Sequence, residues 1–322
     1  MPQSSQYDVA AFGELIIDLV PGLTADGQRC FIPKPGGAPG NVAVGLARLG
    51  RRAAMLTKIG DEAFGRLLLA TLRANGVATE GIVASRAANT GIAIVTVDAE
   101  GDRDFLFYRN GCADETYAPD DVAEAVIRAA RVLHVGSLIL VNPLPAAAQA
   151  HAIATARAAG ARISVDVNLR ASLWPDAEAM RRAALGVVAD ADILKISEDE
   201  LALLTGTTDI AEGITRIRTP RMAALAVTKG PAGAEVLTRQ HRVAVPGFAV
   251  KVVDTVGSGD AFMAALLSGL VACDFDPSSA EALRAITVRA CGAGAVAAMS
   301  AGGMESLPDA VALDAFLASH GA

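Results

Sequence analysis

Residues 254–265 read DTVGSGDAFMAA, from Asp254 to Ala265. An apolar, β-branched run (Val250, Val252, Val253) leads in, and an Ala/Leu-rich helical pattern runs on from Ala261 to Leu270. Between them Gly257-Ser258-Gly259-Asp260 lets the backbone turn sharply and approach a ligand closely. The first turn of the following helix then presents free N–H groups and the positive end of its dipole, which is an anion site. A carboxylate inside an anion site needs a reason. One reading makes Asp260 the acceptor of a proton from a hydroxyl that attacks a phosphate held by the glycine turn. The plainer reading makes it a first-turn acid that the dipole favours anyway.

The chain around this stretch is 322 residues long, 52% hydrophobic, poor in aromatics and of net charge −7. That length fits one large α/β domain or two smaller ones. No Lys/Arg cluster supplies the basic face that nucleic acid requires. Cys30, Cys112, Cys273 and Cys291 are scattered without metal spacing and read as small buried hydrophobes of a reducing cytosol. His134, His151, His241 and His320 form no metal or triad spacing. The start, MPQSSQYD, has no signal pattern, and the apolar stretch 290–304 is glycine-rich and too short to span a bilayer. The expectation is a soluble cytoplasmic protein without a membrane partner.

In chain order, residues 8–20 read as a buried strand passing into an edge strand that carries Asp18, an acid among Ile16, Ile17, Leu19 and Val20. An unpaired buried charge is costly, so Asp18 either has a role or faces outward. In residues 34–50, Pro35-Gly36-Gly37 breaks regular structure before a helix with Val42, Val44, Leu46 and Leu49 on one face. Gly37 and Asn41 thus lie at a loop-to-helix junction suited to sugar hydroxyls, although Asn41 could be only a cap. Residues 91–109 alternate as a hairpin with its turn at 98–102, and should pair with 14–33 as a small sheet over the main body. Such a sheet reads as a lid, from which Arg109 either reaches substrate or pairs with a surface acid.

From about residue 120, strands at 131–136, 162–167, 192–196, 223–228 and 234–238 alternate with helices at 145–159, 176–189 and 198–205. This argues a mostly parallel sheet with helices on both faces. Ligands then bind at the carboxyl ends of strands. That rule selects Asp166/Asn168/Arg170, Lys195/Ser197/Glu200, Thr228/Lys229/Gly230 and the stretch around Asp260. Residues 292–297 match GxGxxA but lie in a helical pattern with no preceding strand, so they do not make a dinucleotide site. No P-loop is present.

With GGAPGN at 36–41 and DTVGSGD at 254–260, the chain resembles the ribokinase-like (PfkB) sugar kinases over nearly its whole length. Within them FGELIIDLVP (12–21), FYRNGCAD (107–114), DVNLRASLW (166–174) and LKISEDEL (194–201) are most similar to fructokinases. Departures are Ser258 for the commoner alanine, Val167 within DVN, and Gly40 for alanine. The resemblance implies a three-layer α/β/α ribokinase-like fold, one catalytic domain over 1–322, and lid strands around 14–33 and 89–110. It implies an ATP-dependent kinase, with fructose the favoured acceptor. Alternatives are 2-keto-3-deoxygluconate, ribose or a riboside, or a sugar-binding regulator that lost its chemistry.

Carried over residue by residue, Asp260 is the base, and the amides of Gly257, Ser258 and Gly259 form the anion hole. Asp18, Gly37, Asn41 and Arg109 hold the sugar; Asp166, Asn168 and Arg170 sit between sugar and phosphates. Lys195, Ser197, Glu200, Thr228 and Gly230 serve ATP and Mg²⁺. Asp254 and Val256 match positions for a monovalent cation, K⁺. A homodimer through the lid strands is also implied, and exposed strand edges give it a motive.

Overall fold

Two apolar cores, one on each face of a long sheet, organise the chain. The structure is a computed structural model and describes residues 5–97 and 103–322. The chain opens with β1 (Tyr7–Phe12), β2 (Ile16–Leu23), β3 (Arg29–Gly36), α1 (Ala38–Arg48), β4 (Ala53–Gly60), α2 (Ala63–Ala74), β5 (Ala78–Ser85), β6 (Ile92–Val97) and β7 (Arg103–Tyr108). The middle third holds α3 (Glu124–Arg128), β8 (Ala130–Val135), α4 (Pro143–Ala158), β9 (Arg162–Asp166), α5 (Ala177–Ala189), β10 (Ile193–Ser197), α6 (Glu198–Thr205) and α7 (Ile210–Ile217). It ends with β11 (Ala224–Thr228), β12 (Ala234–Thr238), β13 (Arg242–Val245), α8 (Ser258–Ala272), α9 (Ala280–Ala298), α10 (Gly303–Ser306) and α11 (Ala310–Ser319).

The large sheet has nine strands in the order β13-β12-β11-β10-β9-β8-β1-β4-β5, parallel from β5 to β11 and antiparallel at β12 and β13. Period-two alternation sends Val9 and Ala11 of β1 into one core, and Ala10 and Phe12 into the other. The first core is closed by α1, α2, α8, α9 and α11, the second by α3 to α7. The expected three-layer α/β/α architecture is therefore present.

A second sheet, β3-β2-β6-β7, forms the small β layer expected from residues 14–33 and 89–110. Strands β6 and β7 pair antiparallel; the expected turn at 98–102 lies outside the described residues. The GxGxxA match falls inside α9, where a Cβ at Gly292 would meet Leu317 at 2.8 Å and one at Gly294 would meet the Ser258 carbonyl oxygen at 3.1 Å. These glycines serve close helix packing. All four cysteines are free, two of them buried. Among the described residues no helix is long and apolar enough to cross a membrane.

One expectation is corrected. The run Val250–Val253 leads from no strand into the glycine turn: β13 ends at Val245 at the far sheet edge, and 246–257 is a loop. The chain must travel from that edge back to the middle of the sheet, so it cannot pair. Instead Val253 N–H donates to the Ala298 carbonyl at the end of α9 (2.8 Å), and Val252 and Val253 stay 57% and 54% exposed.

Candidate active site

A cavity of about 840 Å³ opens where the carboxyl ends of the strands, the second sheet and the N-terminus of α8 meet. Its floor is the turn into α8. Ser258 N–H donates to Thr255 O at 3.2 Å, and Gly257 has φ 82 and ψ −9, the values a type II turn requires at its third position. Gly257, Gly259 and Asp260 line the cavity. Ser258 does not: its amide closes the turn and its hydroxyl is buried without a partner. Of the three glycine-turn amides expected to face an anion, that of Ser258 is already bonded to Thr255 O, and only Gly257 and Gly259 border the cavity.

Asp260 is buried at the third position of α8, and its Oδ2 accepts a hydrogen bond from Asn41 Nδ2 at 2.7 Å. Burial pushes its carboxyl up to about 6; Asp166 pushes the same way, against Asn41, Lys195 and Arg170. Asn41 is therefore more than a cap. It lies inside α1, whose start is fixed by Gly37 at φ 104, where a Cβ would stand 2.6 Å from the Glu14 carbonyl oxygen. On β2, Asp18 lines the wall with Ile16. Burial pushes its carboxyl up to about 7, opposed by Arg170 and reinforced by Asp260 and Asp254.

Lys195 in the middle of β10 also lines the cavity, and its Nζ donates to both oxygens of Asp166 at 2.8 and 2.9 Å. Asp166 stands behind that ammonium and borders only a small neighbouring cavity with Glu14, His134 and Asn168. Asn168 (φ 41) and Arg170 reach the main cavity, and the Arg170 guanidinium lies 6.0 Å from the Phe105 ring of the lid sheet. Asp254 is pinned: Oδ1 accepts from Val256 N–H at 3.0 Å and Oδ2 from Gly302 N–H at 3.1 Å. Both Asp254 and Val256 border the cavity.

Four residues expected at the nucleotide lie outside it. Ser197 and Glu200 form a capping box on α6 (Ser197 N–H to Glu200 Oε2, 2.9 Å; Glu200 N–H to Ser197 Oγ, 3.2 Å). Glu200 Oε1 also accepts from Leu169 N–H at 2.7 Å, tying down the loop that carries Asn168 and Arg170. Thr228 pairs in register with Ser197 at the carboxyl edge, and Gly230 follows it at the surface. Arg109 is corrected too: it is 4% exposed, ion-paired with Asp114, and does not line the cavity. The acid it meets is internal, not on the surface.

Sequence reasoning missed Glu14, Phe105, Phe107, Val252 and Val253, all of which line the cavity. The signal for Glu14 was available, since it too is an acid in an apolar stretch, flanked by Phe12, Leu15 and Ile16. Among the described residues no three His, Cys, Asp or Glu gather for a metal.

Residues 6–310 match the pfkB family carbohydrate kinases. Fructokinase-1 of Oryza sativa subsp. japonica is 41% identical over 312 residues, covering 94% of this chain and 95% of that protein. The crystal structure of a fructokinase with bound ATP from Xylella fastidiosa superposes with a TM-score of 0.89 at 30% identity, over 98% of this chain and 99% of that one. A double mutant of the Vibrio cholerae O395 fructokinase, in its fructose-, ADP- and potassium-bound form, gives 0.85 at 32% identity over 98% and 99%. A glycine turn feeding α8, a buried carboxylate beside Asn41 and a match along almost the whole length agree: this chain belongs to the pfkB family of carbohydrate kinases.

Proposed function

We propose that the protein transfers the γ-phosphate of ATP to the 6-hydroxyl of fructose, with Asp260 as the base. The observation that carries this is the buried Asp260 carboxylate, oriented by Asn41 at 2.7 Å and set at the N-terminus of α8 where it faces the cavity. The names of the plant relatives and the fructose- and ADP-bound bacterial structure support the choice of sugar.

In this reading Asp18, Gly37 and Asn41 hold the sugar, and Asp260 takes the proton of its attacking hydroxyl. The amides of Gly257 and Gly259 face the charge that builds on the phosphoryl group, where fixed donors act most strongly. Lys195 and Arg170 add positive charge, while Asn168 shapes the wall between sugar and phosphates. Magnesium, when bound, neutralises phosphate charge; Glu200 keeps spare lone pairs beyond its two backbone bonds for the ion's water shell. Thr228 and Gly230 flank the nucleotide, and Asp254 with the Val256 carbonyl holds K⁺. The β2–β3–β6–β7 sheet closes over the site, excluding water. Its exposed Phe31, Leu106 and Tyr108 and its open edges suit a homodimer. The whole chain acts as one catalytic unit in the cytoplasm.

ADP release with ATP and Mg²⁺ across fructose, 2-keto-3-deoxygluconate, ribose, glucose and adenosine, with and without K⁺, tests the reading. Turnover confined to fructose supports it. Turnover only on another acceptor removes fructose and keeps the kinase, and silence on all five with tight binding of one favours the sugar-binding regulator that lost its chemistry. The pH profile is a second check. A base works only when ionised, and burial pushes the Asp260 carboxyl up to about 6. Burial also pushes the sugar-holding Asp18 up to about 7, so kcat/KM should decline as the pH falls through neutrality and drop more steeply, about tenfold per pH unit or more, below about 6. A profile flat down to pH 4.5 would exclude Asp260 as the base.

A further inference from the structure

We infer that Glu14 is a second sugar-recognition carboxylate, accepting a hydrogen bond from an acceptor hydroxyl other than the one phosphorylated. This deepens, and rests on, the kinase reading above. Glu14 follows β1 at the carboxyl edge, is 3% exposed, and lines the main cavity with Asp18 and Asn41 as well as the small cavity beneath. Its Oε1 accepts from Ala38 N–H at 3.1 Å, at the first residue of α1. That bond fixes the carboxylate against the helix that carries Asn41, and Asn41 in turn holds Asp260. Behind it sit the buried Arg109 and Asp114, an ion pair one layer removed from the cavity.

A carboxylate is an expensive helix cap to bury. Burial pushes Glu14 up to about 7, against the pull of the Arg109 guanidinium. The backbone N–H groups of Ala38 and of Glu14 itself bond to it, whereas a carboxylate accepts about four hydrogen bonds. Acceptor capacity remains on the side that faces the cavity, and a hydroxyl-bearing ligand there supplies a further donor. A site built to bond a hydroxyl discriminates strongly against the analogue that lacks it.

The test is a cross between variants and sugars. The wild type, Glu14→Ala and Glu14→Gln are assayed at saturating ATP with fructose and its 1-, 3- and 4-deoxy analogues. Glu14→Ala should lose roughly 10- to 10²-fold in kcat/KM on fructose, carried mainly by the sugar KM, the size expected for a bond to a charged group. The KM for ATP should stay within about twofold. On one deoxy analogue that loss should vanish, because the partner hydroxyl is already gone. Glu14→Gln preserves shape and should single out the same analogue, which covers an alanine variant that folds poorly.

An equal loss on fructose and on every analogue would mean that Glu14 only caps α1, and the inference falls while the kinase reading stands. A wild type silent on fructose overturns the fructose reading and this inference together, while turnover on another acceptor keeps the kinase.

Discussion

Asp260→Ala should bind sugar and nucleotide with affinities within a few-fold of the wild type, yet lose roughly 10²- to 10⁴-fold in kcat, the range of a positioned general base. Its carboxylate meets the protein through one bond, from Asn41 Nδ2, and is otherwise buried, with repulsion by Asp166 opposed by Lys195 and Arg170 and burial the largest influence. Removing it relieves a desolvated charge, so the variant should fold at least as stably as the wild type. That separates a chemical loss from a structural one: calorimetric binding and denaturant unfolding stay level while turnover collapses. Asp260→Asn, which keeps the volume, should show the same collapse. Near-normal turnover in either variant would remove the base from the mechanism.

The second large effect belongs to the Lys195–Asp166 pair. Both side chains are buried, and Lys195 Nζ spans the two Asp166 oxygens at 2.8 and 2.9 Å. Breaking such a pair by deleting one partner leaves an uncompensated charge and costs about 3–5 kcal/mol. Lys195→Met should therefore shift the denaturation midpoint strongly downward. The double variant Asp166→Asn/Lys195→Met, with no buried charge left at the pair, should recover most of that stability. Activity should not recover with it, since the ammonium also lines the cavity beside Gly257 and Gly259. If the single variant unfolds within about 1 kcal/mol of the wild type, the pair is not the buried, coupled unit described.

The strand β12 and the helix α6 fall on the residues that hydrophobic alternation and helical periodicity select (234–238 and 198–205), because both elements have one period and clear stops. The approach of α1 to α8 was not legible. It brings Asn41 to Asp260 across 219 residues of sequence, and only the resemblance to a family hinted at it. Val250–Val253 misled because β-branched composition reports fit to a pleated surface, not the presence of a partner strand. Glu200 shows another limit. Its spacing from Ser197 is that of a capping box as much as of a metal motif, and the structure shows the box. Arg109 and Ser258 fall in the same class: residue type and position were readable, but where the guanidinium and the amide point is settled by Asp114 and Thr255.

The order in which the sheet is laid down bears on how the protein is made. Strand β1 lies inside the nine-stranded sheet, between β4 and β8, and its Val9 and Ala11 belong to a core whose other wall is largely α8 and α9. Asp18 and Asn41 emerge from the ribosome early, while α8, with both the base and the cover for α1, emerges after residue 257. A nascent chain of the first 257 residues therefore carries a nearly complete sheet with one greasy face open and no means of moving phosphate. Such exposed apolar surface invites aggregation and chaperone capture. Premature termination just before α8 should yield insoluble protein rather than a weak kinase.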